Sequence, residues 1–200
     1  LKSRVDQWYD MGANGIFLDE FGFDYYVTRA RQNEIITYVK SKGMFVFVNS
    51  WSIKYIFSST PMTISWIPNF EPNPNGLPCL LDDNDYSLFE NLFYTSETVT
   101  GTDGVKTISL KCASPWRIED AYAYYNTTQE EYGTTYYDRF KTKIVSLDGI
   151  PSNLDIRHKN ILQTISLFGA KIFNIPCLAF GDEKWGATGY YHDWGLADVN

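Results

Sequence analysis

Histidine is scarce in this 200-residue chain, which holds only His158 and His192. Two such residues far apart cannot supply the His-rich ligand sets of catalytic zinc. Cysteine is nearly as scarce, and Cys79, Cys112 and Cys177 fit no zinc spacing. A Cys79–Cys112 disulfide would suit a secreted protein, and three unpaired, buried thiols are the other reading. Basic residues are outnumbered, 17 Lys and Arg against 24 Asp and Glu, for a net charge of −7. That balance offers no basic patch to displace counterions from nucleic acid and disfavours an anionic membrane surface. No stretch reaches the roughly 18 apolar residues of a membrane span, so no membrane insertion is expected. The residue types call for no metal and no cofactor. There is no internal repeat or low-complexity tract, and nothing in the sequence signals an oligomeric state.

What is abundant is aromatic: 17% of the chain, with 15 Tyr and 6 Trp. These side chains join an apolar body to a polar tip and suit a surface that holds sugars or peptides, or else a Tyr-rich core. With 44% hydrophobic and 20% charged residues, the chain is expected to fold as one domain over 1–200 with a sizeable core. It opens on "LKSRVDQWYDMGANG", which reads as a helix already in progress, and it is therefore expected to be part of a longer polypeptide.

The pattern alternates strand and helix. A helix from Leu1 to about Met11, stopped by Gly12, precedes the apolar strand Gly15 to Leu18. A second helix, about Thr28 to Lys42, carries Ile35, Ile36 and Val39 as its stripe and stops at Gly43. "MFVFVNSW" is the next apolar strand. "IPNFEPNPNGLP" reads as loop, "YSLFENLFY" (86–94) as a strand, and "TVTGTDGVKTISL" as a β-hairpin turning at Asp103-Gly104. Helical residues from about Pro115 to Tyr125, and again near Tyr136, lead to the strand "KIVSLDG". A helix over about Ile156 to Phe168, with Ile161, Leu162, Ile165 and Phe168 at helical spacing, is ended by Gly169. "KIFNIPCLAF" is the last strand. Continuous apolar strands alternating with helices predict an α/β fold with a parallel sheet. Five strands cannot close an eight-stranded barrel. The expectation is the C-terminal portion, about five βα units, of a (β/α)8 TIM-barrel-like domain, with a doubly wound sheet as the other closure.

In such an array every strand ends on the same rim, where barrel enzymes build their sites. The strand ends deliver Asp19 and Glu20, then Asn49 and Trp51, then Glu90 with Tyr94 beyond it, then Asp148, then Asn174. Acids, amides and aromatics without a basic residue are the equipment of a glycoside hydrolase, where one carboxyl group protonates the leaving oxygen and another serves as nucleophile, base or support. Asp19, Glu20 and Glu90 are the candidate catalytic acids; Asn49, Trp51, Tyr94, Asp148 and Asn174 are candidate substrate contacts. The bland readings are specific too. Asp148 equally suits a helix cap or turn, and Asp24 reads as a cap or surface residue. Asn174 satisfies a strand end, Trp51 is core, and Glu90 pairs with a Lys or Arg. Because neighbouring strand residues face opposite ways, at most one of Asp19 and Glu20 points into a site unless the strand has ended.

"GANGIFLDEFGFDY", then a helix and "GMFVFVNSW", resembles the spherulin-type glycoside hydrolases and the related endo-α-1,4-galactosaminidases. Those families share a "G-x-x-G-[IV]-F-x-D-E" strand, a helix, a strand ending in Asn, and a strand with Glu in an apolar run, which "YSLFENLFY" matches. The likeness covers roughly residues 8–94; beyond them it lies only in the order of elements. It implies a (β/α)8 barrel lacking its first three βα units here, and metal-independent cleavage of galactosamine-containing exopolysaccharides. Asp19, Glu20 and Glu90 become cleft acids, with Glu90 or Glu20 as proton donor and Asp19 assisting. Where the family has Pro-Gly after the strand-end Asn, this chain has Ser50-Trp51, and the hairpin and the Pro/Asn loop read as insertions.

The leading expectation is an extracellular hydrolase acting on a polysaccharide, an acidic surface suiting a cationic, partly deacetylated amino-sugar polymer. The rival is a non-catalytic module that binds a cell-surface glycan or receptor, on a cell surface or in a phage tail fibre. A metal-dependent deacetylase would need more than His158 and His192.

Overall fold

The computed structural model describes residues 1–129, 133–150, 154–173 and 175–181. Helix α1 (Lys2–Asp10) leads into strand β1 (Gly15–Leu18), and a 3-10 turn at Phe23–Tyr25 precedes α2 (Arg29–Ser41). Then follow β2 (Phe45–Asn49), the short α3 (Lys54–Phe57), β3 (Tyr86–Glu90), β4 (Tyr94–Thr100) and β5 (Lys106–Cys112). Helices α4 (Pro115–Asn126) and α5 (Tyr136–Phe140), strand β6 (Lys143–Gly149), helix α6 (Ile156–Ile172) and strand β7 (Cys177–Gly181) complete the described chain. Strands β1, β2, β3, β6 and β7 form one parallel sheet in chain order, while β4 and β5 pair separately as an antiparallel hairpin. The fold is therefore α/β, and among the described residues the sheet is open, with β1 and β7 at its edges.

Alternation along the strands decides what each residue meets. On one face Val46 and Val48 of β2 are fully buried, in a cluster with Ile35, Ile36 and Val39 of α2. Burying each such side chain is worth about 1.5–3 kcal/mol as an upper estimate, which is ample reason for α2 to dock there. The register is held from the opposite end of the strands. The fully buried Asp85 carboxylate accepts the Val46 amide at 2.8 Å and the Asp82 amide at 2.9 Å, and pairs with Lys40 at 2.7 Å. The other face of the sheet carries an aromatic tier. Phe17 lies 5.1 Å from Phe47 and Phe47 lies 6.0 Å from Tyr86, between ring centroids, and Phe17 is 49% exposed. Strand β1 is thus buried on one side only, in contrast to the reading of its apolar run, because it is an edge strand and its Phe17 side is not covered.

Three boundaries differ from those expected. The 86–94 run breaks after Glu90, where Asn91 turns through φ 53° and Tyr94 starts the hairpin. Gly169 does not stop its helix but lies inside α6, where a Cβ would come within 2.3 Å of the Phe93 ring, so glycine is there for close approach. The last strand starts at Cys177, since Lys171 and Ile172 still belong to α6. Helix α6 buries only Leu162 of its expected apolar stripe. Leu162, Ser166 and Ala170 point inward, while Ile161, Ile165, Phe168 and Ile172 are exposed. The three thiols are unpaired; only Cys79 is buried, and Cys112 is exposed. No helix among the described residues is long and apolar enough to cross a membrane.

Candidate functional site

Strands β1, β2 and β3 lie side by side, with Leu18 opposite Val48 and Asn49 opposite Leu88. Counting two residues at a time places Asp19, Asn49 and Glu90 on the same face, the one opposite α2, at the ends from which the chain leaves the strands. The side chains meet there. Asn49 Nδ2 donates to Asp19 Oδ1 at 2.9 Å, and the same amide faces the Glu90 carboxylate and lowers its proton affinity by hydrogen bonding. One amide thus links two acids contributed by different strands.

Glu90 is half-buried, and desolvation is the main reason its carboxyl group is pushed above the usual range; the nearby Asp19 charge pushes the same way. Asn49 and then Arg117 oppose the shift. Arg117 comes from α4 and is nearly buried. It donates through Nη1 to the Glu90 backbone carbonyl, and its guanidinium lies 4.4 Å from the Trp51 ring centroid and 4.9 Å from that of Trp116. Trp51 is held from a second side, because its Nε1 donates to the Tyr25 hydroxyl at 2.8 Å. Tyr25, Asn49, Ser50, Trp51, Glu90 and Arg117 line a small cleft.

A wider cleft adjoins it through Tyr25 and Trp51, and adds Asp24, Tyr55, Trp66, Trp116 and Asp120. Asp120 accepts from Ser52 Oγ at 2.6 Å and from the Ile53 amide at 3.2 Å, which ties α4 to the start of α3. Asp24 is different. Neither of its buried oxygens reaches a hydrogen-bond partner on another residue, and desolvation pushes its carboxyl above the usual range. It lies over Gly22, where a Cβ would come within 2.0 Å of Asp24 Oδ1 and 2.4 Å of Ser50 Oγ.

The remaining sequence candidates divide. Glu20 stands beside Asp19 but turns through φ 53°, donates its amide to Asp19 Oδ1 at 2.9 Å and is exposed, outside the lining of either cleft. Asp148 and Tyr94 line neither cleft, and the structure gives both a role inside the protein. Glu90 is opposite Leu147, so Asp148 falls on the helix-covered face and is fully buried. Asp148 Oδ1 accepts the Phe93 amide at 2.9 Å, Oδ2 lies 2.7 Å from Ser166 Oγ, Ser166 Oγ lies 3.0 Å from the Tyr94 hydroxyl, and that hydroxyl donates to the Leu162 carbonyl. With one hydrogen on each hydroxyl, this file is complete only when Asp148 carries a proton, and burial pushes its carboxyl in that direction. Asn174 lies outside the described residues. Sequence reasoning passed over Arg117, Trp116 and Asp120, although an adjacent Trp-Arg pair opening a helix after an inserted hairpin is a usable signal. It also set Asp24 aside.

No protein-family model, no curated protein and no solved structure matches this chain.

Proposed function

We propose that this chain is a glycoside-hydrolase-like domain, the C-terminal portion of a (β/α)8-type array, acting on an extracellular or cell-surface polysaccharide. The observation that carries the reading is the Asp19–Asn49–Glu90 constellation at the leaving ends of three adjacent parallel strands, beside an aromatic cleft. Chain-order winding supports the barrel portion, since a doubly wound sheet reverses its strand order. So do the bare Phe17 face and the outward stripe of α6, surfaces that further βα units cover in a closed array. In the proposed reaction Glu90, whose raised proton affinity suits a general acid, protonates the leaving oxygen. Asp19, oriented by Asn49, supports the developing positive charge or activates the nucleophile. The resemblance to the galactosaminidase families makes a galactosamine-containing polymer the first substrate to try.

The test is release of reducing ends from a polysaccharide panel, with Glu90→Gln as control. Product from the native protein and none from the variant is the expected result; no product from any polymer overturns catalysis. A second reading has an observation of its own. Arg117 reaches the Glu90 backbone and partly offsets the upward shift of its carboxyl group, as a site that binds a glycan without cleaving it would permit. Binding without product selects it.

A further inference from the structure

The wider cleft is built for something the acid site alone does not use. Trp66 belongs to the loop between α3 and β3, and its neighbours Ile64 and Ile67 are buried against Phe23, closed by an Ile67 amide to Ile64 carbonyl bond of 2.9 Å. Two anchored isoleucines therefore hold Trp66 outward, 63% exposed. Trp51, 47% exposed, is fixed by Tyr25 and by the Arg117 guanidinium against its ring. Exposed indoles are costly unless a partner covers them, and the fixed position of Trp51 spares that partner the entropy of ordering it. Asp24 lines the same cleft as these rings, a half-buried carboxyl group with no partner on another residue, and a buried acceptor left unsatisfied is costly.

We propose that the cleft formed by Trp51, Trp66, Trp116, Tyr55 and Asp24 is a second saccharide subsite, in which a pyranose ring lays its C–H face on an indole and donates hydroxyls to Asp24. The inference rests on the glycan reading above, because the cleft continues the acid site through Tyr25 and Trp51. It adds that the ligand is an oligomer spanning both clefts, with one sugar unit beside Glu90 and the next on the tryptophans. A pyranose supplies what the cleft lacks, an apolar face together with hydrogen-bond donors.

The experiment is calorimetric titration with neutral, amino and acidic oligosaccharides of one to six units, on the native chain and on Glu90→Gln, Trp66→Ala and Asp24→Asn. Trp66 is surface-exposed and Asp24→Asn keeps its shape, so both variants are expected to fold, which circular dichroism checks. In the native chain and in Glu90→Gln, affinity is expected to rise about tenfold on passing from one unit to two or three. That rise is lost in Trp66→Ala and reduced in Asp24→Asn. A native chain-length dependence that both variants preserve overturns the subsite and leaves the glycan reading standing. No binding of any oligosaccharide by the native chain overturns both.

Discussion

Glu90 and Asp148 close neighbouring strands of one sheet, both following an apolar run, yet they have opposite fates. Glu90 falls on the face opposite α2, meets Asn49 and lines a cleft, whereas Asp148 falls on the other face and is enclosed by Phe93, Ser166 and the Tyr94 file. The difference is one of parity. Glu90 is opposite Leu147, so the acid one residue later on β6 points the other way. Burial raises the proton affinity of both, but only for Glu90 is the proton within reach of a ligand.

The largest expected effect breaks the comparison at the exposed end. Glu90→Gln is expected to lower hydrolysis by about 10²–10⁴-fold, the usual worth of a positioned general acid, while glycan affinity measured by calorimetry is kept. Next is the sealed end. Asp148→Ala strands the Phe93 amide and the Ser166 hydroxyl and is expected to lose about 2–4 kcal/mol in urea denaturation, whereas Asp148→Asn, which keeps a hydrogen for Ser166, stays within about 1 kcal/mol of the native chain. Equal losses in the two variants would show that a charged Asp148 is what the fold needs. Gly169→Ala forces a methyl group against Phe93 beside the same file and is expected to cost about 1–2 kcal/mol by the same measurement.

The smallest effect concerns pH. A carboxyl group whose folded pKa is raised favours folding below its unfolded value and loses that contribution as pH rises through the folded one. Glu90, raised from the usual 4.5, therefore strains the fold when ionised, and Glu90→Gln should raise Tm at pH 7 with the gain vanishing below about pH 4.5. A gain that persists at low pH would point to a packing effect instead.

Much of the scaffold was legible, for reasons visible in single residues. The "GIFL", "FVFVN" and "YSLFE" runs read as strands because helices cover at least one face of each, and Asp103-Gly104 announced the hairpin. The Asp19, Asn49 and Glu90 positions could be read because strand ends converge once a parallel array is assumed. Asp148 could not be separated from Glu90, since parity depends on a register that no local pattern carries. Nor could Arg117 be matched with Trp51, because α4 reaches the rim only after an insertion that has no periodicity. Helix α6 shows the limit of periodicity itself: its expected stripe of Ile161, Leu162, Ile165 and Phe168 is regular, yet only Leu162 is buried, beside the Asp148–Ser166 contact and the close approach at Gly169.

The stacking of Arg117 on Trp51 has a practical outcome. A fixed positive charge 4.4 Å from an indole biases the colour of its emission, and the neighbouring Tyr25 hydrogen bond keeps that geometry constant. A molecule that displaced the guanidinium would alter the Trp51 share of the emission from the six tryptophans, a binding readout that needs no attached label.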